Sequence, residues 1–271
     1  MADFSKVVPK IFPVREETPD PRIKPVHPNI MTPPSLCLVI GSVKSGKTTL
    51  LNSLLLQPRE NGFYGQNYFD IVKIISNTIN NDPTARFLKK AFDVSDHYTE
   101  GQIQDIIASQ DKYESKEKMP TMALILDDIL GTNFKRNNEI SFLATRFRHK
   151  NILLMLVTTQ NFKSVDNILR NNATDVIINK QTNQKQLMSI VEEYHSVFGS
   201  PENFLKIYHM ATEGKYNFLY LKLGEAKAFR NFETLLAEGE NIIHQDTLDQ
   251  KDRDKIFKMA EKINETKKDD E

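Results

Sequence analysis

The chain has little of several things, and each shortage excludes a class of protein. It carries one cysteine, Cys37, among 271 residues. One cysteine forbids an intramolecular disulfide and any cysteine-based zinc cluster, which fits a reducing compartment. Because Cys37 lies in an apolar run, it reads as a small core residue rather than a nucleophile. No apolar run approaches the roughly 18 to 20 residues that a membrane span needs, so no span is expected. The first residues, MADFSKVVPK, lack the apolar centre of a secretory leader. Excess charge is also missing, since 36 basic residues balance 36 acidic ones. A protein whose whole surface grips nucleic acid is strongly basic, so any DNA contact here must be local.

What is present describes a globular protein with a real core: 39% hydrophobic and 27% charged residues. Eight of the twelve prolines fall within residues 1–34. Proline fixes φ and removes a backbone donor, so this stretch is expected to be an extended arm. Such an arm is either a disordered tail or a strap along a neighbouring subunit. From Ser35 onward, short apolar runs alternate with helical patterns. Strands are expected over 36–40, 71–75, 123–126, 152–157 and 175–178, and helices over 47–56, 84–92, 102–109, 138–150, 165–170 and 185–198. Continuous apolar strands between helices indicate an α/β fold with a mainly parallel central sheet flanked by helices. The alternating segment 216–223 is expected to extend that sheet, and the stretch from about Asp246 reads as a solvated helix or tail. The expected division is an arm (1–34), a P-loop domain (35–225) and a charged extension (226–271).

The segment GSVKSGKT, Gly41 to Thr48, matches G-x-x-x-x-G-K-[ST] in full, after an apolar strand and before a helix. The loop must wrap phosphates with backbone N–H groups. Gly41 and Gly46 supply conformations and close approach that a Cβ would block. Ser42, Val43, Lys44, Ser45 and Thr49 complete the phosphate-binding stretch. The helix aims its positive end at the phosphates, Lys47 adds a full charge, and the Thr48 hydroxyl reaches Mg²⁺. In MALILDD, Met122 to Asp128, the apolar strand Ala123 to Leu126 ends in an acid, which puts a carboxylate at the ligand-binding edge of the sheet. Asp127 is the candidate metal residue, and Asp128 either polarises the attacking water or caps the next segment.

GTPases offer a partial match: Asp128 to Gly131 reads DxxG, and Asn179-Lys180-Gln181-Thr182 follows a strand as NKxD would. Thr182 lacks the carboxylate that guanine needs, so ATP is favoured. The end of the 152–157 strand, Thr158-Thr159-Gln160, would lie between the P-loop and Walker B strands, where a Gln or Thr can touch the γ-phosphate or its water and report hydrolysis, or it is a plain strand-ending turn. The runner-up is a nucleotide-dependent switch that acts without DNA.

GSVKSGKTTL, YFDIVKIISNT with Asp82 after it, LILDDI, RHKNILLMLVTTQ and LRNNATDVII together resemble the packaging ATPases of large double-stranded DNA viruses and virophages. These are poxvirus-type members of the FtsK–HerA superfamily of RecA-like, ASCE-class P-loop proteins. The similarity covers about residues 35 to 180. It implies a ring, pentameric or hexameric, that drives double-stranded DNA into a preformed capsid in the virion or the host cytoplasm. It also implies Lys47 and Thr48 at ATP and Mg²⁺, Asp127 and Asp128 at metal and water, and Gln160 as sensor. An arginine from a neighbouring subunit would complete the site, with Arg148 and Arg170 as candidates and Arg146 third. Asp-Asp stands where many relatives have Asp-Glu. Candidate DNA-gripping loops surround Lys135 and Arg136, and Lys163. The aromatic loop 61–69 either packs in the core or docks a partner such as a capsid protein. His149 and His195 read as ordinary side chains.

Overall fold

The computed structural model describes residues 20–129, 138–243 and 250–269. Ten strands form one sheet. In chain order they are β1 (Ser35–Ile40), β2 (Ile71–Ser76), β3 (Asp93–Ser95), β4 (Met122–Asp127) and β5 (Ile152–Thr159), then β6 (Asp175–Asn179), β7 (Phe218–Lys222), β8 (Lys227–Arg230), β9 (Thr234–Glu238) and β10 (Asn241–Ile242). Their spatial order is β10-β9-β8-β7-β6-β1-β5-β4-β2-β3. The six strands from β3 to β6 pair in parallel, and β7 to β10 add an antiparallel wing. The four central strands β1, β4, β5 and β6 are buried along their whole length, the reason their sequences run apolar without alternation.

Helices cover both faces. One face carries α1 (Lys47–Leu56) and α2 (Arg86–Ala91), and the other carries α3 (Gln102–Asp111), α4 (Asn138–Arg146), α5 (Asn167–Asn172), α6 (Gln184–Tyr194), α7 (Pro201–Ala211) and α8 (Gln250–Asp269). Among the described residues, no helix is long and apolar enough to cross a membrane. The expected placement of the third-motif strand holds, since β5 lies between β1 and β4.

Two expectations are corrected by the packing, and one unforeseen helix is added. The sheet does not stop at 225, because β8 to β10 continue it as hairpins. The terminal helix is not solvated on all sides: Ile256, Met259 and Ile263 of α8 are buried in the core with α7. Their i, i+3, i+7 spacing makes one apolar stripe, and the charged residues occupy the rest of the surface. Helix α7 was not anticipated at all, although Ser200 caps it by accepting from Asn203 N and Pro201 occupies its first turn.

The described part of the arm, residues 20–34, lies on its own chain. Ile30 and Met31 are buried. Tyr64 donates to the Met31 carbonyl (2.6 Å), Tyr68 to the Lys24 carbonyl (2.7 Å), and Arg22 to the Met119 carbonyl (2.7 Å). At the far side Lys222 Nζ donates to the Pro28 carbonyl (2.9 Å). The aromatic loop therefore packs inward, with Tyr64, Tyr68 and Phe69 buried, and the segment it receives is the arm. Residues 1–19 of the arm, Gly131, and the proposed grip at Lys135 and Arg136 lie outside the described residues.

Candidate nucleotide site

Ser76, Asp127, Thr159 and Asn179 close β2, β4, β5 and β6 at one edge, the carboxyl edge of the sheet, where open α/β folds bind ligands. Gly41 to Gly46 leave β1 there and hand over to α1. A Cβ on Gly41 would run into Ser45 Oγ and Asn179 Oδ1, so a larger residue there would displace the side chains that brace the loop. Gly46, the N-cap of α1, has φ 101, and Lys44 also sits at positive φ, 62. Asn179, at the end of β6, donates its amide to the Ser45 carbonyl (3.2 Å). The residue that imitated the first position of NKxD thus braces the phosphate loop.

Lys47 is buried, and its Nζ donates to the carbonyls of Gly41 (2.9 Å) and Ser42 (3.2 Å) while standing 3.6 Å from Asp128 Oδ2. Asp127 closes β4, buried, and accepts from Thr158 Oγ1 (2.6 Å) and Ser76 Oγ (2.7 Å). Two donors from the flanking strands β5 and β2 fix this carboxylate from either side. Thr158 also accepts from Asp128 N (3.0 Å). At Asp128 the backbone turns to φ 49, which carries its side chain back toward Lys47. Burial pushes the Asp128 carboxyl above its ordinary range, against the pull of the Lys47 ammonium and of Gln160. Gln160 Nε2 donates to Asp128 Oδ2 (3.1 Å), and the Gln160 carbonyl accepts from Gln186 of α6 (2.6 Å). On the other side, Thr48 is hydrogen-bonded to Asp82. Burial pushes the Asp82 carboxyl up, but the hydrogen bonds from Thr48 and Thr84 outweigh it and hold the group below its usual value.

The structure thus brings together Lys47, Thr48, Asp127, Asp128 and Gln160. Sequence reasoning missed the roles of Ser76, Asp82, Thr158 and Gln186. Ser76 and Thr158 had one visible signal, polarity at the end of a buried run; Asp82 and Gln186 had none of that kind. The arginines stand elsewhere. Arg148, just before β5, stands at the opposite edge of the sheet, whereas Arg170 lies on α5, within the crossover from β5 to β6. At about 3.3 Å per residue, the eight residues of β5 separate the two edges by about 25 Å. Arg170 is committed within its chain, paired with Glu193, bonded to Asn167 and lying over the Phe162 ring (5.2 Å). Arg148 and Arg146 are exposed beside Phe147 and Phe142. Lys163 is exposed just past the end of β5, on the nucleotide edge.

The same architecture occurs in solved structures. B204, the DNA-packaging ATPase of Sulfolobus turreted icosahedral virus, superposes with a TM-score of 0.53 at 15% identity, covering 74% of this chain and 98% of that one. The chain shares the fold of B204. The B204 of Sulfolobus turreted icosahedral virus 2, solved with ATP-γS, has the same coverage, 15% identity and a TM-score of 0.50. In sequence, uncharacterized protein 075L of Invertebrate iridescent virus 6 is 26% identical over 218 residues, 76% of this chain and 80% of that protein. No protein-family model matches the chain. Within this fold, the antiparallel wing and the docked α8 complete the sheet and core beyond the stretch that carries the motifs.

Proposed function

We propose that the chain is an Mg²⁺-dependent ATPase that moves double-stranded DNA, packaging a viral genome as a ring of subunits at the site of virus assembly. The observation that carries the ATPase reading is the convergence of Lys47, Asp127, Asp128 and Gln160 on one loop built for phosphate. The donor set suits the ligands. A glycine-shaped cradle, a helix N-terminus and a buried lysine meet a triphosphate, and a hydroxyl with a doubly braced carboxylate suits a hard cation that keeps several waters. Thr48 and Asp127 would hold Mg²⁺, which when bound neutralises charge on the β- and γ-oxygens. Asp128, raised by burial, is suited to take a proton from the attacking water. Gln160 touches Asp128 and, through its carbonyl, α6. A change at the γ-phosphate can therefore shift α6 relative to the sheet.

The DNA part of the reading is supported by the fold shared with B204, whose description is of a DNA-packaging ATPase. The zero net charge requires a local grip, and Lys163 stands on the correct edge. An arginine acting in trans belongs on a surface remote from its own phosphate loop. Arg148 is exposed on such a surface, whereas Arg170 must first leave Glu193.

The deciding experiment is steady-state ATP hydrolysis with and without long duplex DNA, for the wild type and Lys47→Ala. Stimulation by DNA that weakens as salt rises and disappears in the variant is expected. Hydrolysis that ignores DNA, or a preference for GTP, defeats the packaging reading and favours a nucleotide switch.

A further inference from the structure

One large aromatic side chain stands in the open beside the phosphate loop. Tyr216 is 60% exposed, and its Cδ1 lies 3.7 Å from the point where a Cβ on Gly46 would sit. Topology explains the placement. β7 runs antiparallel to β6, and Phe218 pairs with Asn179, so the turn entering β7 arrives at the carboxyl edge. Asn179 itself binds the loop, which makes Tyr216 a neighbour of the loop through two residues of register.

The backbone at Tyr216 is in the left-handed region, φ 67, where a bulky side chain is unusual and costs energy. The following residues hold it there. Asn231 accepts from Phe218 N (3.2 Å) and donates to Asn217 Oδ1 (3.2 Å), pinning the turn to the β8–β9 hairpin. The Lys215 ammonium lies 4.8 Å from the ring centroid, a cation–π contact that leaves the ring another face for a ligand. A rigidly held, solvent-facing aromatic ring next to a phosphate cradle suits one chemistry, stacking of a flat heteroaromatic group attached to the phosphates.

We propose that Tyr216 is the platform for the purine base of the nucleotide, with Lys215 on the opposite face of the ring. This inference rests on the nucleotide-binding reading above. Base–aromatic stacking by alanine substitution costs a factor of about 5 to 150 in affinity, so Tyr216→Ala is expected to weaken ATP binding about tenfold. Tripolyphosphate has the phosphates without the base and is expected to bind wild type and Tyr216→Ala equally.

The test is a calorimetric titration of wild type, Tyr216→Ala and Lys47→Ala with ATP and with tripolyphosphate. Loss of ATP affinity alone in Tyr216→Ala supports the platform. Equal ATP affinity in wild type and Tyr216→Ala overturns it while leaving the phosphate site intact. Failure of the wild type to bind either ligand overturns the nucleotide reading itself. Should Tyr216→Ala lose tripolyphosphate as well, Tyr216→Trp decides, because the chain has no tryptophan and the new indole is the sole reporter. ATP and ADP are then expected to change its fluorescence and tripolyphosphate not to. An indole blind to the base overturns the proposal.

Discussion

Thr158→Val removes one hydroxyl from a fully buried strand end and nothing else of comparable size. That hydroxyl donates to Asp127 Oδ1 at 2.6 Å and accepts from Asp128 N at 3.0 Å. A hydrogen bond to a charged group contributes about 1.5 to 3 kcal/mol, and a buried donor left without a partner costs about 1 to 3 kcal/mol. The two effects share one site and will not add in full, so a loss of about 3 kcal/mol is expected. At about 2 to 4 °C per kcal/mol for large domains, the melting temperature should fall by about 6 to 12 °C. Among the described residues Asp127 would keep only its bond from Ser76, and for a carboxylate proposed to hold a metal such loosening costs about 10- to 100-fold in metal affinity or activity. The assays are urea denaturation and an Mg²⁺ titration of ATP hydrolysis, with Thr158→Ser as control because it keeps the hydroxyl. If Thr158→Val matches Thr158→Ser within about 1 kcal/mol and needs no more Mg²⁺, then Thr158 does not brace the carboxylate and the geometry has been misread.

Tyr64→Phe should leave the buried Met31 carbonyl without its donor, costing about 1 to 3 kcal/mol and loosening the arm; limited proteolysis should then cut within residues 20–34 faster than in the wild type. His209, on α7, is held below its ordinary value of 6.5 by burial and by Lys255 of α8 and Lys180, against the opposite pull of Asp252. A lowered folded-state value means that the neutral ring stabilises the fold above pH 6.5 and that this contribution is lost as pH falls through the lowered value. The denaturation midpoint should therefore drop on acidification below pH 6.5, with a shallower drop in His209→Gln.

Some of this protein is written in contiguous residues. A loop that wraps phosphates needs its glycines, lysine and threonine in one unbroken stretch, so Gly41 to Thr48 declares itself. A carboxylate at a sheet edge needs only an apolar strand before it, and Asp127 declares itself too. The place of β5 was also legible, because a buried run closing in Thr158 and Thr159 with Gln160 after it is the pattern expected of a strand between β1 and β4.

The tertiary structure decided the rest, because it depends on register between segments far apart in the chain. Asn179 looked like part of a base-recognition motif and became a brace for Ser45, since β6 pairs with β1. Ser76 reached Asp127 only through the pairing of β2 with β4. The proline-rich arm had no periodicity to read, and its place was fixed by carbonyls accepting from Tyr64, Tyr68 and Lys222. The short strands β8 to β10 mix charge with apolar residues and were hidden for that reason. Arg170 shows the same limit from the other side, because a guanidinium reads alike in sequence whether it faces a neighbour or, as here, Glu193 in its own chain.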